Sequence, residues 1–197
     1  TYIDIAKQFT GGSDITVSSN SKSPSPYVSL DKAEAIRSKT DYIVGEADAS
    51  AAYKTNDKDV TVALEGYNYS DLQQMGVIYL NGSSGLKPFS GNKIIISKKS
   101  ADRYKLSLGQ QISLAIGING DKEKFTIVGI ADNKGIFGVD SPKYMMAVTP
   151  QSIAQNISGI NNQYTCLYIK AHNAKDIDSL VSKLGTTYKN YSVSKII

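Results

Sequence analysis

Residues 93–130 read KIIISKKSADRYKLSLGQQISLAIGINGDKEKFTIVGI, and the spacing of apolar residues in this stretch decides the fold class. Lys93-Ile94-Ile95-Ile96 is a strand-like apolar run, Ser97 stands where a helix N-cap oxygen belongs, and a short helix is expected to Tyr104. Ile112, Leu114, Ile116 and Ile118 then alternate with small or polar residues. Asn119-Gly120 supplies the favoured two-residue hairpin turn, and Phe125-Thr126-Ile127-Val128-Gly129-Ile130 returns as the partner strand. The block therefore predicts a compact β-rich lobe.

Toward the N-terminus, Asp14-Ile15-Thr16-Val17-Ser18 alternates with period two and predicts a strand, followed by a Ser/Pro-rich link to Pro26. A helix is expected from Ser29 as cap, with Leu30, Ala33 and Ile36 on one face and its end at Thr40-Asp41. Tyr42-Ile43-Val44 resumes as strand, and Val60 to Glu65 pairs back across Asn56-Asp57-Lys58-Asp59 as a hairpin. Residues 66–91 read as loop, with Gly76, Gly82, Gly85, Pro88 and Gly91 interrupting short apolar pieces, and a crossing between lobes is expected there.

Toward the C-terminus the pattern is strand, helix, strand, helix, strand. Tyr144 to Val148 leads to Thr149 as cap and Pro150 at the first helical position, with Ile153, Ala154 and Ile157 on one face and Gly159 beyond the end. Tyr164 to Lys170 is the next strand. Asn173 is expected to cap a helix carrying Ile177, Leu180, Val181 and Leu184, with Gly185 as its stop, before Tyr191 and Val193 open a last strand. This βαβαβ tail can complete a sheet with the N-terminal β-α-β-β unit.

Composition narrows function. With 197 residues and 41% hydrophobic content the chain can bury a core, as one domain or two small ones. The net charge is +4, but Arg37 and Arg103 are the only arginines among 22 basic residues, and the lysines are scattered among acids, as in Asp121-Lys122-Glu123-Lys124. That argues against a nucleic-acid reader, which leans on clustered arginine forks. The single cysteine, Cys166, excludes an internal disulfide and reads as a small packing residue in a strand. Thr1 is followed by no leader pattern and the chain stops at Ile196-Ile197 in mid-strand pattern, so it reads as a piece of a longer protein. No run of roughly 20 apolar residues is present to span a bilayer as a helix.

Catalytic patterns fail one by one. His172 is the only histidine, which rules out a multi-histidine zinc site, and a dyad with Cys166 lacks a third group to orient it. No Gly-x-Ser-x-Gly elbow occurs, and Ser19-Asn20-Ser21-Lys22 lies in a Ser/Pro link rather than at a rigid helix start. Gly135-Ile136-Phe137-Gly138 lies between strand signals rather than between the two helices of an RNA clamp, and no Gly-Lys-Ser/Thr phosphate loop exists. Asp132 and Asp140 read as turn acids, and Asn68, Asn81, Asn156 and Asn190 as chance Asn-x-Ser matches in an Asn/Ser-rich chain. No catalytic, cofactor or metal residue is assigned. The one partner-contact candidate is the apolar pair Ile136-Phe137, flanked by glycines in an expected loop.

Lys93 to Ser97, Ala101, Leu106-x-Leu108-Gly109-x-x-Ile112-x-Leu114 and Phe125 to Ile130 together resemble the pattern of MacB-like periplasmic core domains, the outer domains of MacB- and FtsX-type ABC-transporter permeases. Gln110-Gln111 departs from it, since the family often carries an acid after the glycine. The resemblance implies an α+β fold in which an α/β porter-like lobe, residues 1–66 and 141–197, receives an inserted β-rich sabre-like lobe, residues 67–140. It also implies placement on the extracytoplasmic face of a bacterial cell membrane and no enzymatic activity or cofactor. The implied partners are an ABC ATPase reached through membrane helices, a second permease copy and an extracellular accessory protein, with no nucleic acid. The expected function is coupling of ATP hydrolysis to export of a hydrophobic compound, peptide or lipid-linked cargo; the alternative is an FtsX-like signalling module that activates a cell-wall hydrolase.

Overall fold

The computed structural model describes residues 9–56 and 58–196, so Asp57 of the expected hairpin turn lies outside the described residues. Two β systems share one long strand. β1 (Ile15–Ser18), a 3-10 helix (Asp31–Lys39), the first half of β3 (Thr40–Lys54), β11 (Cys166–Ala171), α4 (Ile177–Thr187) and β12 (Ser192–Lys195) form the first. Their order across the sheet is β12-β1-β11-β3, antiparallel throughout. This is the split β-α-β arrangement, in which each helix returns the chain two strands away. Alternate residues Ile15, Val17, Ile43, Leu167 and Ile169 point to one face and meet Ala33 and Ile36 of the 3-10 helix and Leu180 and Leu184 of α4.

The second system is a closed ring. The outer half of β3 pairs with β4 (Asp59–Tyr67), β4 runs parallel to β9 (Tyr144–Pro150), and β9 pairs with β6 (Lys93–Ser97). β6 runs parallel to β8 (Asp121–Ala131), β8 pairs with β7 (Gln111–Ile116), and β7 returns to β3 through Tyr53 opposite Leu114 and Ala51 opposite Ile116. Val62, Leu64, Ile94, Ile96, Leu114, Phe125, Ile127 and Met145 share one core, so side chains fill the ring and leave no channel. The alternate residues Ile95, Val128, Met146 and Val148 face the other way. They are covered by Leu72 and Met75 of α1 (Tyr69–Met75), by Val77 and Leu86, and by Ile136 and Phe137 of a 3-10 turn, Gly135–Val139.

The structure differs from the sequence expectation at several points. Residues 66–91 contain α1 and a short strand, β5 (Leu80–Ser83), paired to β8. The β7–β8 turn spans four residues: Ile116 pairs with Asp121, and Gly117 and Gly120 both take positive φ. Ile118 thereby leaves the alternation and stands fully exposed at the tip. Ser29 does not cap the first helix; it belongs to β2 (Val28–Ser29), paired with β10 (Gln163–Tyr164), and Leu30 precedes the helix. Thr149 spends its hydroxyl on the Lys93 carbonyl, 3.0 Å away, and Pro150 ends β9 ahead of α3 (Gln151–Ser158). Asn173 precedes a 3-10 turn without a side-chain cap bond. α4 runs through Gly185 to Thr187, because buried Leu184 and Tyr188 draw its last turn into the core and outweigh the glycine's weak helix propensity. Ser97 behaves as expected: its hydroxyl accepts the Ser100 N–H and caps α2 (Lys98–Tyr104).

The lobe boundaries expected near residues 66 and 140 fall beside β4 and β9, which the strand pairing places in the ring. β3 changes neighbour within its own length, from β11 over Thr40–Glu46 to β4 over Ala47–Lys54.

Candidate functional site

That changeover gathers the chain's most unusual polar residues. Side chains two apart on a strand share a face, so Glu46 and Asp48 of β3, Glu65 and Tyr67 of β4, and Cys166 and Tyr168 of β11 pair off side by side. Asp48 lies directly opposite Glu65, and Cys166 directly opposite Glu46. One carboxylate oxygen from each of Glu46, Asp48 and Glu65 lies within 4.8 Å of the others. Glu46 is buried, and Asp48 and Glu65 are half-buried.

Backbone bonds fix the cluster. Thr165 N–H donates to the Glu46 carbonyl at 2.8 Å, the Asp48 N–H donates to Thr165 Oγ1 at 2.9 Å, and Ser158 Oγ donates to the Asp48 carbonyl at 2.6 Å. The Tyr67 hydroxyl donates to Glu46 Oε1, and Cys166 Sγ lies 3.9 Å from Glu46 Oε2. Asp48 Oδ1 is buried without a partner.

Among the described residues, no Lys or Arg contributes to the charge state of any of the three acids. Burial first, and then the Glu65 charge, pushes Glu46 up to about 8. Burial and Glu46 push Asp48 up to about 8, and burial pushes Glu65 up to about 7. Near neutral pH the group holds protons that ordinary surface carboxylates would have lost, which is how close buried acids avoid mutual repulsion. Burial also pushes the Cys166 thiol up, away from the thiolate that nucleophilic chemistry needs. In composition the three oxygens suit a hard cation such as calcium or magnesium; retained protons neutralise them equally well.

A cavity of about 120 Å³ adjoins the acids, lined by Glu46, Glu65, Tyr67 and Tyr168 with Phe9, Ile136 and Val139. Of the expected contact pair, Ile136 is 5% exposed and faces this cavity, while Phe137 is 0% exposed and lies in the core. Cys166 and His172 stay apart at opposite ends of β11, and His172 Nδ1 lies 2.8 Å from Asp41 Oδ1. Asp140 is structural: it accepts from the Ser97 and Ser100 hydroxyls and from the Met146 N–H. The acid cluster was missed in the sequence, although a signal exists. Once the strand at Tyr42-Ile43-Val44 is carried past Gly45, Glu46 and Asp48 fall on the face of buried Val44.

A family model for the MacB-like periplasmic core domain matches residues 3–187. Among solved structures, the chain is similar to the periplasmic region of MacB from Actinobacillus actinomycetemcomitans, with a TM-score of 0.66, 12% identity and coverage of 99% of this chain and 94% of that one. It is also similar to the extracellular domain of the ABC-type transporter YknZ from Gram-positive bacteria, with a TM-score of 0.61, 16% identity and coverage of 92% and 98%. A domain of a putative permease protein from Porphyromonas gingivalis aligns with a TM-score of 0.54, 15% identity and coverage of 94% and 92%. At such identities these likenesses concern the fold. No curated protein matches.

Proposed function

This chain belongs to the MacB-like periplasmic core domain family, the extracytoplasmic part of an ABC-transporter permease, and from that premise we propose that it couples ATP hydrolysis in the cytoplasm to export of a hydrophobic compound, peptide or lipid-linked cargo. The family is a transporter permease domain rather than an enzyme, and no helix among the described residues is long and apolar enough to cross a membrane. On this reading the chain works with an ABC ATPase through membrane helices, with a second permease copy and with an extracellular accessory protein.

The observation that carries the reading is β3. A single 15-residue strand belongs to the open sheet at one end and to the closed ring at the other. Bending it would break ladders on both sides, so movement of the open sheet carries the ring with it as one body. The lobes expected at residues 1–66 with 141–197 and at 67–140 would then report the state of the ATPase together rather than move against each other.

The test is made in the full permease with its ATPase. Spin labels at the exposed positions Lys54, at the ring tip, and Lys175, beside the open sheet, give distances within one copy and between two copies. The within-copy distance is expected to stay constant and the between-copy distances to change when ATP is bound. Between-copy distances that ignore nucleotide overturn the coupling. Nucleotide-dependent movement together with unchanged cargo accumulation and lost cell separation in a deletion strain supports hydrolase activation instead.

A further inference from the structure

The far end of β3 carries a second concave site, unconnected to the acids. An open cleft of about 470 Å³ lies between the end of β3, its following turn and the C-terminal end of α2. Tyr53, Lys54, Lys58, Arg103, Tyr104 and Lys105 form its walls, and no acid is among the described lining residues. The cations sit at the exposed rim, and the two tyrosines are half-buried beneath them.

The Tyr53 and Tyr104 rings meet edge to face, with centroids 5.8 Å apart at 84°, so the floor is a fixed aromatic wall. The Arg103 guanidinium lies 5.8 Å from the Tyr104 ring centre and gives one N–H to the Ser141 carbonyl at 3.3 Å, which orients its fork and leaves further donors available. Among the described residues none of the four cations is in an ion pair. Asp102 pairs with Lys98 at 3.7 Å, and Asp59 is the cross-strand partner of Lys54, so the acids beside the cleft leave the cations in excess.

Lys105 adds a backbone observation. It closes α2 in the left-handed conformation, φ 55°, where glycine is the usual residue because a side chain costs energy there. A lysine held at that position brings its charge to the cleft at the expense of stability. Strained positions of this sort cluster at binding sites.

We propose that this cleft binds a phosphate ester, with the phosphoryl oxygens held by Lys54, Lys58, Arg103 and Lys105 and the organic part lying on Tyr53 and Tyr104. The volume suits a small-molecule unit of the glycerol- or sugar-phosphate kind. An arginine fork with several ammonium groups matches the geometry and charge of phosphoryl oxygens. The inference stands independently of the transport reading.

Two titrations of the isotope-labelled protein at low salt test it, followed by amide NMR. One uses glycerol 3-phosphate, the other vesicles of phosphatidylcholine with or without phosphatidylglycerol. Each is repeated with the Lys54→Gln/Arg103→Gln variant and with a Lys122→Gln/Lys124→Gln control on the β7–β8 hairpin. Saturable shifts confined to residues 53–58 and 103–105, weakened about tenfold or more in the cleft variant but not in the control, support the site with a free phosphate ester as ligand. Binding only to phosphatidylglycerol vesicles, lost in the cleft variant alone, supports the site with a lipid headgroup as ligand. Equal binding by both variants, shifts spread over all surface lysines, or binding in neither titration overturns the proposal. Unchanged amide spectra away from the substitutions establish that the variants remain folded.

Discussion

The middle and the tip of β3 use charge in opposite ways. At Glu46 and Asp48 the strand carries acids into the interior with no cation beside them among the described residues, and they persist by retaining protons and, at Glu46, by the bond from the Tyr67 hydroxyl. Beyond them, Tyr53 and Lys54 belong to an exposed cleft rimmed by cations, with no acid among its described lining residues. Buried charge without a counter-ion must be neutralised at the site, whereas water tolerates the same crowding at the surface. The middle is therefore coupled to packing and proton uptake, and the tip is free to meet a ligand.

Packing gives the largest expected contrast. Gly66 lies between Glu65 and Tyr67, and a methyl group there would sit 2.6 Å from Ala154 Cβ and 2.9 Å from the Ala47 carbonyl oxygen. Gly66→Val is expected to cost about 3 kcal/mol by overpacking. In the turn between β3 and β4, Asn56→Ser should stay within about 0.5 kcal/mol, as exposed substitutions do. Urea midpoints measure both. A Gly66→Val protein as stable as the parent would mean that the changeover can widen, and the contrast between a tight junction and a tolerant tip would fail.

Proton uptake gives the next effect. The folded-state pKa values of Glu46, Asp48 and Glu65 lie above their ordinary values, so between roughly pH 4 and 8 the folded chain binds more protons than the unfolded one. Stability from this source is complete below the unfolded values, falls as pH rises through that interval, and is gone above the folded values. Each extra proton held contributes about 1.4 kcal/mol per pH unit, so the unfolding free energy is expected to fall by at least about 2 kcal/mol between pH 5 and pH 8. Glu46→Gln keeps the shape, removes one acid and should flatten the profile. A stability that rises across the interval, or a slope that Glu46→Gln leaves intact, would show that another group neutralises the acids.

Some of this was legible in the sequence, for physical reasons. Within residues 93–130, alternation at Ile112, Leu114 and Ile116, the Ser97 cap and the return at Phe125 are local signals, and they become β6, α2, β7 and β8. Ring closure is not local. The parallel pairing of β4 with β9 joins Leu64 to Ala147 and leaves no mark in either segment alone. α1 is seven residues long with only Leu72 and Met75 buried, too short to display a helical period. The acid cluster was hidden by composition, because Glu46-Ala47-Asp48-Ala49-Ser50-Ala51-Ala52 carries no β-branched residue and does not read as strand. Its membership in β3 comes from tertiary pairing with β4 and β11.

The smallest effect tests most directly whether the tip is built for binding rather than merely solvated. Lys105 occupies a left-handed backbone position that glycine fills without steric cost. Lys105→Gly should therefore raise stability by about 0.5 kcal/mol, the relief of strain exceeding the extra entropy of an unfolded glycine. The same change removes one of four cations from the cleft and should weaken binding of glycerol 3-phosphate. Opposite signs in the two measurements, a higher urea midpoint with poorer binding, are what a position that trades stability for function gives. If Lys105→Gly instead loses stability, the lysine supports the end of α2, and the strain at this position no longer argues for a ligand.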